Sequence, residues 1–239
     1  MPKELENDLT SISPIKLEND RRRIELMHSL LFTLPGSPIL YYGDELGMGD
    51  NIMLFDRGGV RTPMQWESGH GHAGFTSSTS VSSLYLPMID SPLYGAERVN
   101  VLNAKKDCFS LFNVIKKMIA TRKKHSCFGW GTLRWIETAL KEVLAFVREN
   151  CDDAVLVIHN LCDKSFENLE IELPSLQAPT FELTSAIGKD QGILYVPVDI
   201  LETREKYPIK SKQLDEKTVF YTECSLMPFS FIWLKLSIQ

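Results

Sequence analysis

Hydrophobic residues recur at helical spacing in two stretches of the N-terminal half of the chain. In the first stretch they return at steps of three and four, at Ile24, Met27, Leu30, Leu31 and Leu34. This spacing predicts an amphipathic helix that begins at Asn19 or Asp20 and ends at Pro35-Gly36, after a loose tail over residues 1–18. A second run with the same period predicts another helix from Leu111 to about His125.

Between these two helices, Ile39-Leu40-Tyr41-Tyr42 forms a continuous apolar run that Gly43 closes. A short uninterrupted run predicts a buried strand covered on both faces, as in a parallel sheet under helices. Helix, turn and buried strand together form one step of a βα architecture. Residues 44–107 are rich in Gly, Asp, Ser and Pro, and a connection of that length is commonly functional.

Beyond Gly129 the hydrophobic period falls to two. Short alternating or apolar segments follow at 132–137, 142–149, 154–160, 166–173, 180–183, 193–198, 219–222 and 230–235. Repeated short strands at this spacing predict an antiparallel β-sandwich. Residues 202–217, rich in Glu and Lys, are expected to form a long solvated loop. The fold class expected for the whole chain is therefore α/β followed by all-β.

The charge balance and the composition exclude several classes of partner. The 239 residues include 26 Lys and Arg against 31 Asp and Glu, which gives a formal net charge of −5. Nucleic acids and anionic membranes attract clustered positive charge, so neither is expected as a partner. No apolar run approaches the ~20 residues of a membrane span, and no secretory signal is recognised. Five scattered cysteines lack metal or disulfide spacing, so a cytoplasmic chain with free or buried thiols is expected.

Two motifs make the sequence specific. They are Tyr41-Tyr42-Gly43-Asp44-Glu45-Leu46-Gly47-Met48 and Gly59-Val60-Arg61-Thr62-Pro63-Met64-Gln65-Trp66. Together they resemble the last barrel strand and the following loop of the α-amylase superfamily of glycoside hydrolases. Gly47-Met48-Gly49-Asp50-Asn51 and Pro228-Phe229-Ser230-Phe231-Ile232-Trp233-Leu234 extend the resemblance, which covers the chain from about residue 14. Within the superfamily the chain is most similar to the trehalose synthases, which are maltose α-D-glucosyltransferases.

The resemblance implies a division of the chain into two domains. Residues 1–128 would form the C-terminal remnant of a (β/α)8 TIM barrel, with its last strand, helices and a long loop. Residues 129–239 would form the C-terminal β-sandwich domain. A complete barrel needs about 250 residues, so the chain is expected to supply only part of one.

The resemblance also implies that the catalytic carboxylates lie outside this chain. Members of the superfamily use a nucleophilic Asp, an acid/base Glu and a second Asp, all on earlier barrel strands. The Asn-His-Asp motif that precedes the last strand in the family has no match here. Retaining chemistry needs two carboxyl groups about 5–5.5 Å apart. We therefore expect no catalytic residue in the chain, and no turnover by the chain alone.

One substrate contact carries over from the family, and it is Arg61. In related glucosidases and transferases the arginine of this motif pairs with an upstream Asp at the closed end of the first sugar subsite. A guanidinium offers a rigid fork to carboxylate and sugar oxygens, although Arg61 acting only as a loop anchor stays open. The residues expected to shape the pocket or its loop are Asp44, Glu45, Asp50, Gln65 and Trp66. Asp44 and Glu45 are adjacent and point to opposite faces of an extended chain, which places them poorly for catalysis.

No metal and no cofactor is expected. His70 and His72 flank Gly71, but a metal site would need a third ligand on a fixed scaffold. The small-molecule partners implied by the resemblance are maltose, trehalose or related α-glucosides.

Two other functions stay open. The first is a hydrolase similar to the oligo-1,6-glucosidases. The second is a non-catalytic module that binds carbohydrate or another protein through exposed aromatic residues, for which Trp130, Trp135 and Tyr195 are available. Uncovered apolar surface on the first helix and on the strand at 39–42 also predicts self-association or pairing with a missing N-terminal half.

Overall fold

The structure is a computed structural model that describes residues 14–69, 72–78, 80, 84–173, 198–201, 207–214 and 217–236. The described residues divide into two compact units. One unit, which we call the loop unit, lies within 39–116. The other, the sheet unit, combines 14–38 with the described residues from 117 onwards.

The first helix, α1, spans Pro14–Thr33 and so begins earlier than the sequence pattern predicts. Proline suits the first position of a helix because its fixed φ and missing N–H cost nothing there. The predicted buried face is wrong, since Ile24 and Met27 are exposed while Ser29 and Phe32 are buried. Hydrogen bonds from Ser29 to the sheet orient the helix, and a hydrophobic pattern does not register such bonds.

The predicted strand over residues 39–42 is absent. These described residues form no ladder, and Ile39 is 82% exposed. A strand needs a neighbour that accepts its backbone hydrogen bonds, and no described strand lies alongside this segment. The apolar run is instead an extended connection that leads into a turn at Gly43.

The loop unit contains short helical segments within the connection over residues 44–107. Two 3-10 helices span Asp44–Leu46 and Asp56–Arg61, and α2 spans Val101–Lys106. The predicted second helix is confirmed as α3, Leu111–Lys124, and a short helix α4 follows at Cys127–Trp130.

The strands of the sheet unit form two antiparallel sheets. The five-stranded sheet has the order β1-β2-β3-β8-β5, with β1 Thr132–Ile136, β2 Val143–Glu149, β3 Ala154–Asn160, β5 Val198–Asp199 and β8 Phe231–Lys235. The three-stranded sheet has the order β4-β7-β6, with β4 Phe166–Glu172, β6 Ile209–Leu214 and β7 Lys217–Leu226. Most predicted strands are confirmed, whereas 180–183 and nearly all of 193–198 lie outside the described residues.

The predicted solvated loop over 202–217 is wrong where the structure describes it. Strand β6 pairs with β7 along its whole length, from Ile209 opposite Thr222 to Leu214 opposite Lys217. Its lysines form ion pairs, and Lys210 Nζ lies 2.6 Å from Glu223 Oε2. Charged side chains are common on an edge strand because they discourage pairing with other chains, so the charges mimic a loop pattern.

One hydrophobic core joins the two sheets. It contains Val147 of β2, Leu156 of β3 and Leu234 of β8 from the larger sheet, with Ile171 and Leu226 from the smaller one. Helix α1 lies against the opposite face of the larger sheet, where Trp233 Nε1 donates to Ser29 Oγ at 2.8 Å. Among the described residues the fold is therefore helices followed by open antiparallel sheets, without a closed barrel.

Two arginine side chains tie the C-terminal end of α1 to the rest of the sheet unit. Arg122 donates to the carbonyls of Phe32 and Gly36, and Arg148 donates to the carbonyl of Thr33 at 2.6 Å. The last carbonyls of a helix lack partners within the helix and favour positive charge. The two guanidinium groups therefore cap α1.

None of the helices that the structure describes is both long and apolar enough to cross a membrane. All five cysteines are free thiols. Burial raises the pKa of Cys224 to about 12 and the pKa of Cys127 further still, so both of these thiols stay protonated.

Candidate functional site

The site begins at a turn in the loop unit. Gly43 has a φ of 92°, a left-handed conformation that side chains rarely adopt. The backbone N–H of Tyr41 donates to Asp44 Oδ2, and that of Gly43 donates to Glu45 Oε2, both at 3.0 Å. Both carboxylates therefore stabilise the turn at the start of the first 3-10 helix. A pocket-shaping role for Asp44 and Glu45 stays a prediction.

The second motif is packed closely against the segment at Asp50 and Asn51. The backbone N–H of Asn51 donates to the carbonyl of Gly59 at 3.2 Å. A Cβ on Gly59 would lie 1.9 Å from Asp50 Oδ1 and 2.6 Å from the Asn51 carbonyl oxygen. Only glycine leaves room for this approach. Asp50 therefore packs against Gly59, which precedes Arg61 by two positions in the sequence.

Two tyrosine hydroxyl groups bind the next carbonyls along the chain. Tyr85 Oη donates to the carbonyl of Arg61 at 2.6 Å, and Tyr42 Oη donates to the carbonyl of Thr62 at 2.9 Å. The two hydroxyl oxygens are 3.4 Å apart. Desolvation and the nearby Tyr85 hydroxyl raise the pKa of Tyr42 above its usual value, so its hydroxyl stays protonated and able to donate.

The side chain of Arg61 is exposed, while its own backbone carbonyl accepts the hydrogen bond from Tyr85. Among the residues that the structure describes, no carboxylate lies within ion-pair distance of its guanidinium. An exposed guanidinium on a fixed backbone can donate to carboxylate or hydroxyl oxygens of a ligand. This arrangement is compatible with the predicted substrate contact.

Gln65 and Trp66 have different environments. Gln65 is fully buried, and its Nε2 donates to the carbonyls of Tyr94, at 3.0 Å, and Val99. Trp66 is about half exposed, while its backbone N–H donates to the carbonyl of Ala73 at 2.8 Å. Gln65 therefore holds two loop segments together, and the Trp66 ring is accessible to a ligand.

His72 is only 5% exposed, and neither of its ring nitrogens has a hydrogen-bond partner among the described residues. No group of three His, Cys, Asp or Glu side chains in the described part of the chain is placed to bind a metal ion. His70 lies outside the described residues.

Sequence reasoning missed the two tyrosines that hold the Arg61 segment. Tyr42 was part of the run that predicted a strand, and Tyr85 follows a serine-rich stretch without any periodic pattern. Both contacts are made to backbone carbonyls, so the residue types of the partners carry no signal. The spacing of 43 residues between the two tyrosines also gives no local pattern.

The class of protein follows from a family comparison. The family described as "Alpha amylase, catalytic domain" matches residues 9–131, which is just over half of the chain. The chain belongs to the α-amylase family.

Individual relatives are trehalose synthases. The chain is 46% identical over 148 residues to the trehalose synthase/amylase TreS of Mycobacterium tuberculosis, covering 61% of this chain and 24% of that protein. It is 45% identical over 149 residues to the trehalose synthase of Pimelobacter, covering 61% and 26%. The chain thus spans about a quarter of the length of these relatives.

A solved structure shows the same fold. An isomaltulose synthase variant from Erwinia rhapontici, in complex with D-glucose, superposes with a TM-score of 0.59. The match covers 90% of this chain and 38% of that chain at 20% sequence identity. At this identity the likeness concerns the fold alone.

Proposed function

We propose that this chain supplies part of a trehalose synthase-like enzyme that moves an α-glucosyl group within maltose to give trehalose. The observation that carries the proposal is Arg61, an exposed guanidinium on a fixed loop, in a chain 46% identical to a trehalose synthase over 148 residues. Arg61 would donate hydrogen bonds to the glucosyl group and to the carboxylate of an Asp outside this chain.

The reaction would be a retaining double displacement. An Asp carboxylate would attack the anomeric carbon of maltose while an acid/base Glu protonates the leaving glucose, giving a covalent glucosyl-enzyme. The released glucose would then attack the anomeric carbon of the glucosyl-enzyme through its own anomeric hydroxyl. The bond to the Asp carboxylate would break, and the Glu would accept the hydroxyl proton. A closed site favours this second step over attack by water. Both carboxylates would come from outside this chain, so we propose that the chain alone does not turn over maltose.

The test is a chimaera in which the aligned part of this chain replaces the matching segment of the Pimelobacter trehalose synthase. Trehalose and free glucose released from maltose are both measured. We expect trehalose as the main product, and a loss in kcat/KM of about a hundredfold in Arg61→Ala because charged hydrogen bonds to the sugar are removed. Arg98→Ala changes an exposed arginine elsewhere in the loop unit and should leave kcat/KM within about twofold.

The products separate the alternatives. Free glucose without trehalose would favour a hydrolase similar to the oligo-1,6-glucosidases. Equal activity in the native chimaera and its Arg61→Ala variant would contradict the assigned role of Arg61.

A second candidate function is a non-catalytic carbohydrate-binding surface on the sheet unit. Trp130 is 90% exposed and Trp135 is 58% exposed, and such exposure is unusual for tryptophan. Tyr195 lies outside the described residues. Exposed indole rings are suitable surfaces for stacking sugar rings. A pull-down of the chain on insoluble α-glucan tests this function. Retention that Trp130→Ala and Trp135→Ala abolish would support it, and no retention would exclude it.

The proposal extends to architecture and assembly. We propose that residues 1–128 complete a (β/α)8 barrel with other chain segments, that residues 129–239 form a β-sandwich, and that the protein works in the cytoplasm. Exposed apolar residues such as Met27, Ile39 and Phe55 would then be covered by partners. Light scattering on the purified chain should show self-association, and a clean monomer would count against this part of the proposal.

A further inference from the structure

We propose that Tyr42 and Tyr85 are positioning residues for Arg61. Their hydroxyl groups would set the backbone from which the guanidinium reaches an α-glucoside. The inference deepens the proposed function, because it rests on Arg61 being the sugar contact.

The geometry places three hydrogen bonds on four consecutive residues. The carbonyl of Gly59 accepts from the Asn51 N–H, that of Arg61 accepts from Tyr85 Oη, and that of Thr62 accepts from Tyr42 Oη. The two tyrosine bonds fix the peptide planes on either side of Thr62. The Tyr85 bond therefore holds the peptide plane that directly follows the Cα of Arg61.

The residues after Arg61 reinforce this arrangement. Thr62 has φ −62° and ψ 156°, the extended conformation expected before a proline. Pro63 then fixes its own φ, and Thr62, Pro63 and Met64 are buried. The backbone is thus rigid on the C-terminal side of Arg61. The tyrosines bind the carbonyls of Arg61 and Thr62, where that rigid segment begins.

The exposure of the two tyrosines argues against a role in packing a hydrophobic core. Tyr85 is 61% exposed and Tyr42 is 38% exposed, so neither is a core residue. Each ring also has an aromatic neighbour, with Tyr41 at 4.7 Å from Tyr42 and Phe75 at 6.2 Å from Tyr85, measured between ring centroids. These contacts orient the hydroxyl groups toward the Arg61 segment.

The first test measures the backbone of the 239-residue chain by 15N relaxation. In the double variant Tyr42→Phe/Tyr85→Phe, we expect the order parameters of the Arg61 and Thr62 amides to fall from about 0.85 to below about 0.6. The Trp66 amide, which donates to Ala73, should not change. Tyr94→Phe is the matched control, since no hydrogen bond of its hydroxyl is formed with the described residues. Unchanged order at Arg61 in the double variant would overturn the inference.

The second test uses the chimaera described above. The double variant should lower kcat/KM for maltose five- to tenfold, and it should have no further effect in an Arg61→Ala background, because the tyrosines act through Arg61. Equal losses in both backgrounds, or an active double variant that matches Tyr94→Phe, would overturn the inference. A chimaera without trehalose activity would count against the proposed function, while the relaxation measurement would still decide whether the tyrosines position Arg61.

Discussion

The loop unit and the sheet unit are stabilised in different ways. In the sheet unit, apolar side chains such as Leu156 and Leu234 form one shared core between two sheets. In the loop unit, named hydrogen bonds from Gln65, Tyr42 and Tyr85 to backbone carbonyls hold the segments together. A hydrophobic core tolerates many sequences, whereas directional bonds require particular side chains. The loop unit therefore depends on specific contacts to hold Arg61, its candidate functional residue.

The largest effect expected from this difference is in the core of the sheet unit. Leu156→Ala should lower the free energy of unfolding by about 3 kcal/mol, because the substitution leaves a cavity at a fully buried position. Urea denaturation followed by tryptophan fluorescence measures the loss. Leu161→Ala, at an exposed leucine just after β3, should cost less than about 1 kcal/mol. Equal losses in the two variants would contradict the shared core.

A second prediction concerns the buried His159 in the sheet unit. Burial lowers the pKa of His159 from 6.5 to about 3. Trp233 Nε1 donates to Ser29 Oγ, which lies 2.8 Å from His159 Nε2, so the neutral ring shares a buried hydrogen bond with Ser29. The unfolded chain binds a proton below pH 6.5 that the folded chain does not bind until about pH 3. The free energy of unfolding should therefore decrease as the pH falls through this window, by about 1.4 kcal/mol per pH unit from this residue.

Urea denaturation of the chain between pH 4.5 and 7 measures this pH dependence. His159→Gln keeps an acceptor for Ser29 and cannot bind the proton, so its stability should depend less on pH by about that slope. If the free energy of unfolding changed with pH equally in the two proteins, His159 would not be responsible for the pH dependence.

The third prediction tests the buried Arg148. Its guanidinium donates to the carbonyls of Thr33, Phe128 and Gly131 at 2.6–3.0 Å. Arg148→Lys keeps the charge but cannot reach all three carbonyls, so it should cost about 2 kcal/mol of unfolding free energy. Thermal unfolding by circular dichroism measures the change, and Arg23→Lys, at an exposed arginine of α1, is the control. A loss no larger than in the control would contradict the capping role.

The smallest effect is expected in the loop unit, at the N-cap of α2. Asn100 Oδ1 accepts from the Asn103 N–H at 2.7 Å. Asn100→Ala should lower the free energy of local opening of Val101–Lys106 by about 1 kcal/mol, which amide hydrogen exchange measures. Asn103→Ala changes an exposed side chain of the same helix and should show little effect. Faster exchange throughout the sheet unit would indicate global destabilisation instead of loss of a cap.

The same difference explains which features could be predicted from the sequence. The apolar run at 154–160 predicted β3 correctly, because a strand that is buried on both faces selects apolar residues along most of its length. The apolar run at 39–42 failed because a strand also needs a partner, which the pattern of one segment does not reveal. Strand β6 was missed because its charges lie on an exposed edge.

The candidate site was predicted only in part, for a related reason. The motif around Arg61 identified the family, since its residue types are specific, while the role of Arg61 in the site stays a prediction. The contacts of Tyr42 and Tyr85 could not be predicted because their partners are backbone carbonyls, which every residue carries. Asp44 and Glu45 bind the backbone of their own turn, and their role in shaping a pocket stays a prediction.

The most direct test of the central claim is incubation of the purified 239-residue chain with maltose, followed by chromatographic detection of trehalose and glucose. Arg61 lies in this chain, whereas we expect the reacting carboxylates to lie outside it. Neither product should therefore appear above the level of a chain-free control. Trehalose formed by the chain alone, and lost in Arg61→Ala, would show that the chain holds a complete active site and would contradict the account.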